Sequence, residues 1–516
     1  MLAAILLACR GEGSATTRSG EEGCHSPDVD WPDAVTTLSE VWLSDTPLPE
    51  PAELDPAWPE GLATAEEMGL GGAVLAPGEP RTLRDELVPG WTPPSAGRRS
   101  LWMVFHETDA QIADTESPTR LATTDLPSAT EAAARAQELF AIHALDALIR
   151  RANQLSAFAP VDFGLATGDD ADNNQRNELR WFMAVWDGVP VRPDAGTDDT
   201  QLDAACLDPI ELFEPVGADF PWYAVAGNHD VLIQGNFGND GFADDALGEA
   251  AFGGTRDLSL PGGPLAFVTD ADPERVVMDR ADIAATFLEG PAIPGPPGHG
   301  FTEQDVRDAS IVWSVLPVDG VPVRLIAVDA NPDGLSGGEL SIAERDGWLI
   351  PQLEAATAAG ELVVLTSHYA LGDLSMEGGG RLGDLLVTYP NVVLVLAGHT
   401  HEHRIRAFGT PDDPSAFWQI ETSSTVDWPG QGRMVELVDN GDGTLSVLAT
   451  TFDYPTPPGS LAERAAELMR IDWQTGWRTD DGVGRVEDRN TELVQRLPAG
   501  FSTSAGRTGV RSEALP

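Results

Sequence analysis

Five strand-like segments of this sequence each lead into residues that can bind a metal ion, and this pattern most restricts the folds open to the chain. The segments at 101–105, 161–168, 222–228, 361–368 and 391–399 are apolar and rich in aliphatic residues, which is typical of buried strands. Helix-like segments lie between several of them. This alternation predicts α/β layers, and a later run of strand-like segments predicts a second sheet.

The metal-binding side chains at these strand ends are expected to meet in space. In open α/β sheets, the carboxyl ends of the strands form the crevice where ligands bind. A glycine precedes three of the side chains, and glycine allows the tight turns that aim a side chain into such a crevice. Carboxylate, amide and imidazole groups together suit Mn, Fe or Zn better than Ca. The expected ligands are Asp109, Asp169, Asn228, His368, His399 and His401.

One position in the pattern is unusual. The stretch HETDAQIADTESP (106–118) offers Asp109, but Gln111 stands two positions on, where a strong ligand would be His. An amide oxygen is a neutral and weaker donor than imidazole. His106 is not expected to replace the missing ligand, because a continuing strand would point it to the opposite face from Asp109. A working site with an odd ligand, a broken site and a plain loop all stay open at this point.

Composition divides the chain into parts. Residues 10–100 are rich in Pro, Gly, Glu and Ser with little periodicity, and a Gly/Pro-rich stretch at 231–310 interrupts the strand–helix pattern. A helix is predicted over 128–155, with Ser128 or Thr130 as its N-cap. We predict a signal-like segment and tether at 1–30, an irregular N-terminal extension at 31–100, a main domain at 101–460 with a cap-like insertion at 231–310, and a C-terminal helix and polar tail at 461–516.

The charge balance disfavours one class of partner. The chain has 31 basic and 83 acidic residues, a formal net charge of −52, and Arg as its only basic residue type besides His. Such a field repels nucleic acids and anionic membrane surfaces. Nucleic acid is therefore not favoured as a partner, and a small phosphate-bearing substrate would need local positive charge, which metal ions can supply.

The first residues, MLAAILLACRGEGS, resemble a bacterial lipobox that ends in Cys9, although no Arg or Lys precedes the short apolar run. We expect export, as a cell-envelope lipoprotein anchored through lipidated Cys9 or as a periplasmic or extracellular protein. A chance Cys in a disordered terminus is the alternative. An oxidising compartment would permit a disulfide between Cys24 and Cys206, and that pairing is left open.

The motifs at the strand ends resemble those of the calcineurin-like metallophosphoesterase superfamily. That family carries Asp-x-His, Gly-Asp-x-x-Asp, Gly-Asn-His-Asp or -Glu, a lone His and Gly-His-x-His, in this order. The matching stretches are TDAQ, GDDAD, GNHD, SHY and GHTH, and they span about 101–440. The chain is also similar to a bacterial subgroup of secreted metallophosphoesterases with Gln in the first motif. The resemblance implies a four-layer α/β/β/α sandwich.

The resemblance also implies a centre of two divalent metal ions (Mn, Fe or Zn) and assigns roles to the residues. His229 would stabilise or protonate the leaving group and would be oriented by Asp230. Asp172 would brace the turn of the GDDAD motif. The metal ligands would be Asp169 as the bridging carboxylate, Asp109, Gln111 and His401 for the first ion, and Asn228, His368 and His399 for the second.

Four further residues are considered for substrate-binding, metal-binding or structural roles. His299, within the cap-like insertion, is a candidate substrate contact or a loop residue, and Arg433 is a candidate phosphate contact or a salt-bridge partner. His403 continues the alternation of His399 and His401, but the Gly-His-x-His register favours the first two as ligands. His143 is expected inside a helix as a structural residue.

The sequence therefore predicts binuclear-metal-dependent hydrolysis of small phosphomonoesters or phosphodiesters by a metal-bound hydroxide. Two alternatives stay open: a catalytically weakened cell-surface binding protein, because of Gln111, and an extracellular nuclease. No partner protein is predicted.

Replacing Gln111 with His is expected to tighten binding of the first metal, because imidazole is the stronger donor. The unsubstituted protein should favour Mn, Mg or Fe(II) over Zn at that position. Calorimetric titration of both metal-free proteins with Zn²⁺ and Mn²⁺ measures the difference. An unchanged affinity would show that Gln111 is not a ligand.

Overall fold

Two β-sheets packed face to face form the centre of the protein. The computed structural model describes residues 29–45, 55–126, 130, 132–197, 199, 208–332, 337–477, 482–501 and 505–516. In chain order the strands are β1 (Glu40–Ser44), β2 (Ala73–Pro77), β3 (Thr82–Arg84), β4 (Arg99–Glu107), β5 (Phe163–Ala166), β6 (Trp222–Ala224), β7 (Ala250–Arg256), β8 (Leu265–Val268), β9 (Trp313–Val315), β10 (Val323–Ala327), β11 (Gly338–Leu340), β12 (Leu362–Thr366), β13 (Leu374–Met376), β14 (Val392–Ala397), β15 (Arg404–Phe408), β16 (Phe417–Glu421), β17 (Gln431–Asp439), β18 (Thr444–Asp453), β19 (Thr491–Arg496) and β20 (Arg507–Thr508).

The helices lie between and after these strands. They are α1 (Pro59–Glu67), α2 (Ala141–Ser156), α3 (Arg176–Asp187), α4 (Asn228–Val231), α5 (Ala243–Ala246), α6 (Arg280–Phe287), α7 (Glu303–Asp308), α8 (Ile342–Glu344), α9 (Ile350–Ala359), α10 (Leu382–Leu386) and α11 (Leu461–Gln474). A π-helical turn at Arg345–Leu349 joins α8 to α9. None of the helices in the described ranges combines the length and the apolar character needed to cross a membrane.

Both sheets contain neighbouring parallel strands, which lie at one end of the larger sheet and in the middle of the smaller one. The larger sheet has the order β3-β19-β18-β17-β4-β5-β6, with β20 paired to the start of β4, and β4, β5 and β6 run parallel. The smaller sheet has the order β15-β16-β14-β12-β10-β9, in which β10, β12, β14 and β16 are parallel. The loops that carry the predicted ligands leave the carboxyl ends of these parallel strands.

The packing makes four layers. Successive residues of a strand face opposite sides, and in β12 Leu362 and Val364 join the large core between the sheets while Val363 and Leu365 join a second core with α9 and α10. On the far side of the larger sheet, the ring of Trp186 in α3 lies over Gly164 of β5. The expected four-layer α/β/β/α sandwich is confirmed.

Hydrogen bonds from buried side chains tie the two sheets together. The indole of Trp313 in β9 donates to the carbonyl of Ala224 in β6 at 2.7 Å, and that of Trp418 in β16 donates to Val494 of β19 at 3.2 Å. Gln495 donates across the same gap to the carbonyl of Val393 at 2.9 Å. These contacts fix how the carboxyl edges of the two sheets face each other.

The long predicted helix begins later than expected. The periodic segment at 128–155 predicted a helix from Ser128 or Thr130, but α2 begins at Ala141, and Ser128 lies outside the described residues. Arg135 and Glu138 are buried among distant charged groups instead of forming a helical face. Buried ion pairing therefore overrides the local helix propensity of this segment.

Segments outside the predicted main domain also supply strands. β3 lies in the predicted N-terminal extension and pairs with β19, which lies in the predicted C-terminal tail. The cap-like insertion contains the β7–β8 ribbon and the short helices α5, α6 and α7. The predicted boundaries themselves stay predictions, and Cys9, Cys24 and Cys206 lie outside the described residues.

Replacing Trp418 with Ala is expected to lower the free energy of unfolding by about 3–5 kcal/mol, because a large, fully buried side chain leaves a cavity. Urea unfolding followed by circular dichroism measures the loss. Trp42, which is 36% exposed, provides the matched control, and its replacement with Ala should cost much less. Equal losses in the two variants would contradict the role of Trp418 between the sheets.

Candidate metal centre

The loops that carry the predicted ligands hold unusual backbone conformations. Asp109, Gln111, Asp169, His399 and His401 have φ values of 53°, 43°, 55°, 72° and 54°. The left-handed region costs a non-glycine residue roughly 1–3 kcal/mol, so such residues persist only where the surrounding structure fixes them. Five strained residues in the loops after β4, β5 and β14 therefore mark a place where the required side-chain directions outweigh the cost of backbone strain.

Two of the glycines that precede predicted ligands lie where there is no room for a side chain. A Cβ atom at Gly398 would collide with the side chains of Thr108 and Asp109, and one at Gly227 would collide with Asp169. Glycine at these positions lets the loops after β6 and β14 reach the loops after β4 and β5. The tight turns inferred from the sequence thus bring separate strand ends together.

Two buried carboxylates form the middle of the site. Oδ1 of Asp109 lies 3.1 Å from Nε2 of His401 and 3.8 Å from Nε2 of His368. Oδ2 of Asp169 lies 3.2 Å from Nε2 of the same His368. The ligand atoms of Asp169, His368 and His399 all lie within 4.8 Å of one another. The structure therefore brings five of the predicted ligands, counting His399, into one cluster.

Two buried amide oxygens at this cluster, Oε1 of Gln111 and Oδ1 of Asn228, have no hydrogen-bond partner among the described residues. Nε2 of His368 faces the carboxylates of Asp169 and Asp109, at 3.2 and 3.8 Å. The other end of each side chain is anchored: Gln111 donates to Oδ2 of Asp169 at 3.3 Å, Asn228 to the carbonyl of Gly235 at 3.2 Å, and Nδ1 of His368 to the carbonyl of Thr167 at 2.8 Å. Unpaired buried acceptors are costly unless something else binds them. Two carboxylates, two amide oxygens and imidazoles are a donor set that fits divalent metal ions.

The electrostatics of the cluster follow from burial and pairing. Burial raises the pKa of Asp109 and of Asp169, but the neighbouring histidines outweigh it and hold both pKa values below the usual range. Burial lowers the pKa of His368 and of His401, but the adjacent carboxylates outweigh it and raise each pKa to about 9. Without a metal, two imidazolium groups thus neutralise the two carboxylates.

The ring nitrogens that face away from the cluster are also fixed. Nδ1 of His401 donates to Oδ2 of Asp427 at 2.6 Å, and Nδ1 of His229 donates to the carbonyl of Asp172 at 2.8 Å. Because each Nδ1 carries the hydrogen in the neutral ring, each Nε2 presents its lone pair toward the cluster. A partner on the outer nitrogen orients a metal-binding or catalytic imidazole and sets its tautomer.

The position of Asp230 differs from the prediction that it orients His229. Its carboxylate accepts hydrogen bonds from the backbone N–H groups of Asp169, Ala171 and Gly227, at 2.9, 2.9 and 2.7 Å. It therefore braces the loop that carries Asp169. The ring of His229 is held by Asp172, whose Oδ1 lies 3.2 Å from its Nδ1.

The two tentative substrate contacts lie in the interior. His299 is fully buried and stacks on Trp222, with ring centroids 3.6 Å apart, and its Nδ1 bonds to the carbonyl of that residue. Arg433 is fully buried in β17, where it donates to Nδ1 of His403 and to the carbonyl of Asp488. Neither side chain has access to a substrate, so both predictions are wrong. The segment that carries His299 and the strand that carries Arg433 each pack into the core.

The other weighed histidines make structural contacts. His403 is buried between Gln431 and Arg433, and His106 bridges the hydroxyl groups of Thr167 and Thr422. Nδ1 of His403 accepts from Arg433, so this ring serves the core and not the cluster. His143 bonds to the carbonyl of Pro209 from α2.

Sequence reasoning missed the charged residues behind the site. Asp427 holds His401, and Arg135 donates from Nε to Asp427 at 3.2 Å. Asp427 belongs to the stretch SSTVDWPGQGR (423–433), in which the sequence analysis singled out Arg433 as a candidate phosphate contact. Arg135 sits in a segment with helical periodicity, so nothing in its local pattern indicates burial. Only the tertiary contacts reveal these residues.

Comparison with known sequences finds a relative that matches part of this chain. No protein-family model matches the chain. A probable cyclic nucleotide phosphodiesterase of Synechococcus sp. (strain WH7803) is 28% identical over 149 residues, which cover 25% of this chain and 56% of that protein. The present chain therefore matches just over half the length of this curated relative.

Three solved structures are similar at low identity. They are a purple acid phosphatase from yellow lupin (Lupinus luteus) seeds (11% identity, 73% of this chain and 54% of that one, TM-score 0.31), the sulfate thiohydrolase SoxB of Termus thermophilus (15%, 74% and 61%, TM-score 0.32), and GAP50 of Plasmodium (8%, 74% and 96%, TM-score 0.26). TM-scores of this size do not establish a shared fold, so the fold rests on the sheet order and layers described above.

Metal binding is expected to release protons and to strengthen as the pH rises toward 9. His368 and His401 must lose the proton on Nε2 before they bind a metal, and the pKa of each is raised to about 9. Calorimetric titration with Mn²⁺ in two buffers of different ionisation enthalpy counts the released protons. Below pH 8 the protein should release about two protons, the His401→Gln variant should release fewer, and absence of release would contradict the pairing.

Proposed function

We propose that this chain, which resembles the calcineurin-like metallophosphoesterases in the order of its ligand motifs and in its layered fold, is a metal-dependent hydrolase of phosphate esters. The observation that carries the proposal is the pair of unpartnered buried amide oxygens, Oε1 of Gln111 and Oδ1 of Asn228, beside the buried carboxylates and histidines of the cluster. Such atoms are expected where a divalent ion completes the site.

The same donor set supports two ions, divided as the resemblance implies. Asp109, Gln111 and His401 would hold the first, and Asn228, His368 and His399 would hold the second, with Asp169 between them. Divalent ions bound there would supply Lewis-acid activation of water and stabilise charge on a phosphoryl group. Burial lowers the pKa of His399 to about 3, so its ring is neutral and ready to act as a ligand.

His229 is placed to manage a proton on the leaving group. Its Nε2 lies 3.9 Å from Oδ2 of Asp169, and its backbone N–H donates to the other oxygen of that carboxylate at 2.8 Å. Burial lowers the pKa of His229 to about 4, so the ring is neutral near pH 7. An anionic phosphate ester nearby favours the protonated ring. From that form Nε2 would donate its proton to the departing oxygen.

The substrate is proposed to be a small ester. The net charge of −52 opposes binding of polymeric nucleic acid. The curated relative is named as a probable cyclic nucleotide phosphodiesterase, which keeps small phosphodiesters within the proposal beside phosphomonoesters.

A His229→Gln variant is expected to lose about 10²- to 10⁴-fold in kcat, because general-acid catalysis contributes a factor of this size. Turnover of p-nitrophenyl phosphate and bis(p-nitrophenyl) phosphate, with Mn, Fe or Zn, measures the loss. His143→Gln is the matched control: this buried histidine in α2 lies outside the cluster, so kcat should stay near that of the unsubstituted protein.

Two outcomes would overturn the proposal. One is no turnover of either ester by folded, fully metal-loaded protein, which would favour the alternative of a weakened binding protein. The other is full activity of the His229→Gln variant. Digestion of single-stranded DNA in high salt, with both small esters left intact, would favour the extracellular nuclease.

A further inference from the structure

We propose that Arg135 is a positioning residue that couples the metal ligand His401 to His229. The proposal rests on the proposed function for the roles of the two histidines. Arg135 lies behind the metal centre with its side chain 1% exposed, and its guanidinium pairs with Asp172 and Asp427. It acts through two carboxylates.

Arg135 links the outer partners of the two histidines. Its Nε donates to Oδ1 of Asp427 at 3.2 Å, and Oδ2 of the same carboxylate accepts from Nδ1 of His401 at 2.6 Å. Its Nη1 lies 3.5 Å from Oδ1 of Asp172, and that oxygen lies 3.2 Å from Nδ1 of His229. One guanidinium thus completes a continuous chain of contacts from His401 to His229.

Neighbouring groups hold Arg135 in place from both sides. Glu138 accepts from the backbone N–H of Arg135 at 2.9 Å, and Arg256 donates to its carbonyl at 2.8 Å. Arg120 binds both the second oxygen of Asp172 and, at 2.7 Å, Oε2 of Glu138. Because its backbone and partners are fixed, the guanidinium cannot move without displacing the carboxylates.

The geometry requires arginine. A planar guanidinium offers several N–H donors in a rigid fork and can contact two carboxylates at once, whereas a lysine ammonium is a single point charge on a flexible stem. Replacing Arg135 would leave Asp427 and Asp172 with less charge compensation in a buried site and free to shift. Outer partners of metal-binding histidines typically change metal affinity by about 10–100-fold when they are replaced.

The test measures Mn²⁺ affinity by calorimetry in the absence of substrate. Arg135→Lys and Asp427→Asn are each expected to weaken binding by about tenfold or more. The double variant should be no weaker than Asp427→Asn alone, because the two residues act in one chain. The effect on His229 is read separately, through kcat: Arg135→Lys should lower kcat when His229 is present but not in the His229→Gln background.

A matched control separates positioning from general loss of packing. Arg275 is also fully buried and pairs with a buried carboxylate, Asp114, at 2.7 Å, and within the described ranges neither residue has a hydrogen bond or ion pair to a predicted ligand. Arg275→Lys should leave the Mn²⁺ affinity within about twofold of the unsubstituted protein. Unchanged affinity in Arg135→Lys, or additive losses in the double variant, would overturn the proposal.

A second cycle needs no change at Arg135, in case its variants fail to fold. Asp172→Asn and Asp427→Asn lie at opposite ends of the contact chain, so their effects on Mn²⁺ affinity and on kcat should be non-additive if Arg135 couples them. Additive effects would overturn the coupling. Since Mn²⁺ affinity is measured without substrate, absence of phosphoesterase turnover would count against the proposed function and leave this test intact.

Discussion

The pairing of two buried carboxylates with shared histidines is the interaction on which the site depends. Asp109 and Asp169 are buried, and each has a carboxylate oxygen within 4 Å of Nε2 of His368. Two carboxylates that share one histidine repel each other strongly in a low dielectric and need positive charge nearby. The imidazolium groups of His368 and His401 supply it in the metal-free protein, and divalent ions would take their place.

The strained loops follow from the same requirement. Donors from separate strands of two sheets reach one point only if the chain turns sharply after each strand. Asp109, Asp169 and His401 accept positive φ angles for this purpose, and Gly227 and Gly398 leave room for the approach. The indole and amide bridges between the sheets hold their edges in register, so packing between the sheets opposes the strain.

The acid-rich, lysine-free composition also has a structural counterpart. Arg120, Arg135 and Arg256 form a buried network with Glu138, Asp172 and Asp427 behind the centre. Arginine forks can join several carboxylates at once, and each carboxylate in turn fixes a neighbouring group. The network extends the influence of the site to the β7 strand of the cap-like insertion, where Arg256 lies.

The sequence by itself determined the layered α/β architecture and which strand ends carry the candidate ligands, because strand periodicity, turn glycines and ligand chemistry are local signals. Asp109, Gln111, Asp169, Asn228, His368, His399 and His401 could be named from such signals. Only the tertiary structure decided that His299 and Arg433 are buried, that Asp230 braces a backbone loop, and that Asp427 and Arg135 stand behind the site. Those assignments depend on contacts between residues up to about 300 positions apart, for example the 292 positions that separate Arg135 from Asp427. No local pattern records such contacts, since burial and ion pairing are set by what the rest of the chain places nearby.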